Sequence, residues 1–170
     1  LLNKRRSGRS LFEIDLTNFY DYIYYGPLSL GNPEQELIFN FDTGSGLLWT
    51  PKIDCGSCMI TKIQRDLTLL QILIANQQPI ETQFDRDGSY FAGTIYKTTV
   101  SSGTASADDV QFLLVDDWHD TVFESTDYHG LCGLTPRVHG DYYYLIVNWW
   151  ADTGTIPKFM FSINYKSYLD

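Results

Sequence analysis

Carboxylates at tight turns are the residues in this chain best suited to acid–base chemistry, and two stretches present one in the same tripeptide. In FNFDTGSGLLW, residues 39–49, Asp42-Thr43-Gly44-Ser45 breaks the chain between two apolar runs. Gly44 supplies backbone freedom and lets neighbouring amides approach the carboxylate. Ser45 can donate a hydrogen bond to it, and Phe41 with Leu47, Leu48 and Trp49 would partly desolvate it. An oriented, partly desolvated carboxylate is what a general base requires. The same four residues also make an ordinary Asx-type turn, so the local pattern leaves both readings open.

The second copy, Asp152-Thr153-Gly154-Thr155, has a different setting. It follows YYYLIVNWWA, residues 142–151, the best helical stretch in the chain, with Asp141 placed to cap its start. Gly154 and Pro157 form a helix stop, so Asp152 reads as part of a helix-end loop.

Other chemistry is poorly supplied. His119, His129 and His139 recur at ten-residue intervals, which share no helix face, and no Ser or Cys nucleophile motif accompanies them. A serine- or cysteine-type triad is therefore not expected. Cys55 and Cys58 form a CxxC and Cys132 stands alone, so not all three can pair within the chain. The favoured reading is a small Cys55–Cys58 disulfide ring with a buried thiol at Cys132. A zinc set of the CxxC with His129 and Cys132 is the alternative, but its halves are far apart and no other ligand cluster supports them. No metal and no cofactor is expected.

The elements around these residues read as short strands. A chain of 170 residues, 44% hydrophobic, can bury one sizeable core. Its 15% aromatic content leans toward β structure. The net charge of −9 argues against nucleic acid and anionic membranes as partners. No apolar run approaches the roughly 18 residues of a membrane span. Lys4, Arg5, Arg6 and Arg9 concentrate positive charge in residues 1–15, read as a basic N-terminal arm or a propeptide remnant. The first residue is Leu1 rather than Met, as in a processed or partial sequence. Strands are expected over residues 22–30, 36–41, 47–49, 110–115, 130–134 and 159–165. A hairpin is expected over 82–100, and residues 63–74 are ambiguous between strands and a short helix.

Several of these segments, taken in order, carry a resemblance. LTNFYDYIYYGPLSLGNPEQ, FDTGSGLLWTP, the CxxC, DGSYFAGTIYKTTV, GLCGL and FSINYKSYL together resemble the N-terminal lobe of the pepsin-like aspartic peptidases, colinearly over about residues 16–169. The resemblance implies an all-β, pepsin-like acid protease fold, with residues 16–170 as a single N-terminal lobe of a bilobal double-ψ-type β-barrel. It implies that Asp42 is one carboxylate of a catalytic pair that activates water against a peptide carbonyl. Thr43 would bond across to the partner lobe, Ser45 would orient Asp42, and Trp49 would support the flap, with plain core packing an equal reading for Trp49. The flap would comprise Phe84, Asp85, Gly88, Ser89 and Tyr90.

Two departures stand out. The substrate-covering flap tyrosine falls at Asp85 or Phe84, neither of which has a phenol, although Tyr90 lies just beyond the tip. His129 replaces the aspartate usual before the glycine of the GLCGL-like strand. The chemistry needs two carboxylates sharing one proton, and in the family the second belongs to another lobe, past this segment. The expected partners are thus a peptide or protein substrate and a second lobe or partner chain, in a homodimer or a larger complex. The alternative is a catalytically inactive structural or binding module. Secretory, lysosomal or vacuolar placement is what the resemblance implies.

Overall fold

The computed structural model describes residues 12–52, 55–58, 79–83, 90–119, 128–135 and 145–166, with the backbone alone at 79–83 and 119. Most of the basic arm, the ambiguous segment 63–74, the flap tip 84–89, His139 and Asp141–Tyr144 lie outside the described residues. Eight strands and one short helix are described: β1 Thr17–Phe19, β2 Ile23–Leu30, β3 Gln35–Asp42, β4 Leu48–Pro51, β5 Pro79–Gln83, β6 Tyr90–Ser102, β7 Ala105–His119, β8 Gly130–Gly133 and α1 Ile146–Asp152. None of the described helices is long and apolar enough to cross a membrane.

The strands form one sheet in the order β1-β2-β3-β8-β4-β7-β6-β5, and a further β2–β6 pairing closes six of them into a barrel. Sequence pattern explains which strands lie centrally. In β7, Phe112 and Leu114 enter one apolar cluster while Leu113 and Val115 enter the other. The same split occurs at Leu48 and Trp49 of β4, and at Cys132 and Leu131 of β8. A strand buried on both faces needs an unbroken apolar run, and FLLV, residues 112–115, supplies one. In β2 the alternation Leu28 and Leu30 buried, Pro27 and Ser29 partly exposed, marks a strand with only one face inward.

One crossing sets up the site. β3 and β8 run parallel, with Asp42 opposite Gly133, and β8 runs antiparallel to β4, with Cys132 opposite Leu48. A strand from late in the chain therefore sits between two strands that are consecutive in it. Residues 43–47 must arch over the end of β8 to connect them. Gly133 makes this possible, because a Cβ there would lie 2.6 Å from both Leu47 N and Ser45 O.

Two expectations need correction. The helix begins at Ile146, where the reading began it at residue 142 with Asp141 as cap; Leu145 takes the N-cap with an extended backbone (ψ 149°) and no side-chain cap bond. The burial of Ile146, Val147 and Trp150 shows why a shorter helix suffices: one turn-and-a-half already delivers the apolar stripe to the core. Residues 159–165 form no strand, and Phe159, Met160, Phe161 and Tyr165 are exposed. The aromatic content of that stretch signals fitness for a pleated surface, but barrel closure leaves no inner edge for it to join. It touches the barrel through Ile163, which packs against the apolar core, through Tyr165 edge-on to Tyr24, and through Asn18 Nδ2 donating to the Lys166 carbonyl just beyond it.

Candidate active site

β3 delivers Asp42 to the barrel's end, and the arch beyond it holds the carboxylate from one side. The Gly44 amide donates to Oδ1 at 2.8 Å and Ser45 Oγ donates to Oδ2 at 2.6 Å. A Cβ on Gly44 would sit 3.2 Å from Oδ1, so glycine permits this close approach. The arch is in turn clamped by β8 and the residues after it. Gly133 N–H donates to the Leu47 carbonyl, Leu134 N–H to that of Asp42 and Thr135 N–H to that of Ser45, at 2.7–2.9 Å. Backbone thus fixes the turn, and the turn fixes the carboxylate.

Asp42 opens onto a cavity of about 430 Å³ lined by Asp21, Tyr22, Tyr24, Asn40, Phe41, Thr43 and Tyr165. Thr43 is exposed at its rim. Partial burial, then the charge of Asp21 and the phenol of Tyr165, push the Tyr24 hydroxyl above its usual range. Tyr24 therefore stays a neutral hydrogen-bonding group from acidic to neutral pH. Asp21, the second carboxylate on the wall, is engaged at the β1–β2 turn, where its Oδ1 accepts from Asn18 Nδ2.

The other residues singled out by sequence separate into distinct places. Trp49 is fully buried, 5.4 Å from the Phe91 ring and 5.3 Å from Trp118, beneath the start of β6. Tyr90 turns its hydroxyl to Asp117 Oδ2 at 3.2 Å and is not among the cavity-lining residues. Phe84, Asp85, Gly88 and Ser89 lie outside the described residues. Cys55 and Cys58 form a disulfide, so their sulfurs are bonded to each other, and Cys132 is a free buried thiol that burial pushes up to about 12. Among the described residues no group of three or more His, Cys, Asp or Glu side chains could hold a metal ion.

Where an aspartate is usual, His129 Nδ1 accepts the Ile38 N–H at 2.8 Å, while the His129 N–H donates to the Ile38 carbonyl. The histidine grips β3 a few residues before Asp42. Asp152 ends α1, with Thr153 as C-cap and Gly154 at φ +76°. It is not among the residues that line the cavity at Asp42.

Sequence reasoning did not single out the tyrosines. The signal was present only in part: Tyr24 falls in the expected strand, where the neighbouring Tyr25 pairs with Asn40, whereas Tyr22 belongs to the turn before β2. It did not find the clamp on the arch either, because the bonds from Gly133, Leu134 and Thr135 are backbone bonds.

Comparison with known proteins fits this geometry. The family model for eukaryotic aspartyl proteases matches residues 23–169. Chicken (Gallus gallus) pepsin A is 28% identical over 120 residues, covering 70% of this chain and 32% of its own. Chymosin of Callithrix jacchus is 25% identical over 171 residues, covering 94% of this chain and 42% of its own. A pregnancy-associated glycoprotein of Equus caballus is 31% identical over 137 residues, covering 79% of this chain and 34% of its own. The chain spans about a third to two fifths of the length of these relatives. With a six-stranded barrel, a glycine-supported Asp-Thr-Gly arch and a family match over nearly all its length, this chain is a pepsin-like member of the eukaryotic aspartyl protease family, covering roughly one lobe.

Proposed function

We propose that residues 16–170 are the N-terminal lobe of an aspartic endopeptidase, with residues 1–15 as a basic arm, and that Asp42 is one carboxylate of a water-activating dyad. The second carboxylate belongs to another lobe, on the same polypeptide or on a partner chain. When the two share one proton, the ionised member takes a proton from water as its oxygen attacks the peptide carbonyl, and the neutral member protonates the carbonyl oxygen. Thr43 faces the partner, Ser45 and Gly44 hold Asp42, and the β5–β6 hairpin covers an extended peptide as the flap.

The single observation that carries this reading is the hold on Asp42: both carboxylate oxygens accept hydrogen bonds from the arch, and the group still opens onto a cavity. A carboxylate serving only an Asx turn has no need of an open, tyrosine-lined cavity beside it. The test combines native mass with cleavage of an unstructured protein at acidic pH. Inhibitable cleavage, in a species larger than one chain and lost in Asp42→Asn, supports the proposal; cleavage that survives Asp42→Asn refutes it.

One observation favours a second reading, a non-catalytic module in a larger assembly. Tyr90, the tyrosine nearest the flap tip, commits its hydroxyl to Asp117. A folded complex that binds a transition-state-mimicking peptide and cleaves nothing identifies this case.

A further inference from the structure

Asp117, near the end of β7, joins three chain segments. Its Oδ1 accepts from Ser57 Oγ at 2.8 Å, in the disulfide loop, and its Oδ2 accepts from Tyr90 OH at 3.2 Å, at the start of β6. Ser57 Oγ also accepts the Trp118 N–H at 3.0 Å. One carboxylate and one hydroxyl therefore bind the loop between Cys55 and Cys58, the foot of the β5–β6 hairpin and the β7 backbone.

A β-bulge makes this geometry. Ala92 pairs with Asp117 but Gly93 pairs with Val115, so Asp116 is the extra residue. Strict alternation with Trp118 inward would turn Asp116 inward too. The bulge lets Asp116 and Asp117 both face outward while Trp118 packs on Trp49. Gly93 allows it, since a Cβ there would collide with the Leu114 carbonyl oxygen. On the outward face Tyr90, Ala92 and Asp117 are neighbours; on the inward face Phe91 and Trp118 are. Asp117 thus holds from outside the strand pair that the buried aromatics hold from inside.

The geometry points to Asp117 as a positioning residue for the hairpin, a latch through which the disulfide loop and the foot of β6 fix one another. The hairpin's service as a flap rests on the reading above; the latch itself does not. Its signature is transmission. Removing the hydroxyl at one arm loosens the segment at the other arm, which that hydroxyl never touches.

The test is hydrogen exchange, read by mass spectrometry on the whole 170-residue chain, which needs no peptidase activity. Ser57→Ala is expected to speed exchange across residues 90–92, and Tyr90→Phe across 57–58 and Trp118, each about five-fold, the scale of one hydrogen bond. Asp117→Ala speeds both segments, and Asp117→Asn, which keeps one acceptor oxygen, restores one of them. Tyr90→Phe keeps the ring and so guards against loss of fold. If either single-arm change stays confined to its own segment, or Asp117→Asn behaves as Asp117→Ala at both, the latch is refuted. Loss of cleavage in Asp42→Asn with transmission intact, or the reverse, separates the two proposals.

Discussion

The chain contains Asp-Thr-Gly twice, and the two copies are put to different uses by what surrounds them. At Asp42 the carboxylate is the centre: Gly44 and Ser45 bond to it, and β8 clamps the arch that carries them. At Asp152 the backbone is the centre. Thr153 Oγ1 donates back to the Trp149 carbonyl, Gly154 takes the left-handed conformation that ends a helix, and Thr155 Oγ1 ties the loop to the Ser106 carbonyl. Asp152 is exposed, with no hydrogen bond to its carboxylate among the described residues. Three identical residues thus make a charge-holding arch after a strand and a chain stop after a helix. The element that enters the turn decides which.

The largest expected difference between the copies is chemical. In material that cleaves peptide at acidic pH, Asp42→Asn should lower the rate by on the order of 10²–10⁴-fold, the scale of a lost acid–base group. Asp152→Asn should leave it within about twofold. Equal losses would mean that the two turns share one site.

Next comes backbone space. Gly133→Ala places a Cβ against Leu47 N and Ser45 O, backbone atoms that cannot step aside, and should destabilise by about 3 kcal/mol in urea unfolding. Gly154→Ala meets no atom within 4 Å, so its cost is only the strain of φ +76°, about 1–2 kcal/mol. If the order were reversed, the arch would not be packed on β8 as described.

These two glycines also show how much was legible beforehand. GLCGL marked a short, close-packed strand, and the strand readings for 22–30, 36–41 and 130–134 fall on β2, β3 and β8 because their alternation or glycine flanks are local signals. That β8 would lie between β3 and β4, and so demand Gly133 under the arch, is a non-local fact that no window of residues contains. The segment 159–165 failed for the same reason in reverse: its side chains suit a sheet, but strand formation depends on a free edge elsewhere. Asp42 could be nominated from its neighbours; Tyr24 and Tyr165, brought together from opposite ends of the chain, could not.

The third difference lies in the hydroxyls. Ser45→Ala removes a 2.6 Å donor to a half-buried carboxylate and should cost about 1–2 kcal/mol near neutral pH, somewhat below the range for fully buried charged pairs. Thr153→Ala removes an exposed donor to a helix-end carbonyl, and should cost under about 0.5 kcal/mol. The ratio of the two, measured in the same urea titrations, tests whether the first turn is built around its acid.

An effect confined to alkaline pH comes from what lies beneath the first turn. Cys132 pairs with Phe41, next to Asp42, and is fully buried. Burial raises its thiol from 9.0 to about 12. The folded state therefore keeps the proton over a range in which the unfolded chain gives it up. The stabilisation is complete below the unfolded value and drains away as pH climbs toward the folded one, at about 1.4 kcal/mol per pH unit. Other alkaline titrations are common to the parent chain and Cys132→Ala, so they cancel in the difference between the two. That difference should hold steady up to about pH 8 and be down by about 1.4 kcal/mol at pH 10, and alkylating reagents should leave the thiol untouched until the chain unfolds. A flat difference, or ready alkylation of the native chain, would place the strand that underlies Asp42 in contact with water, and the arch would lose its dry support.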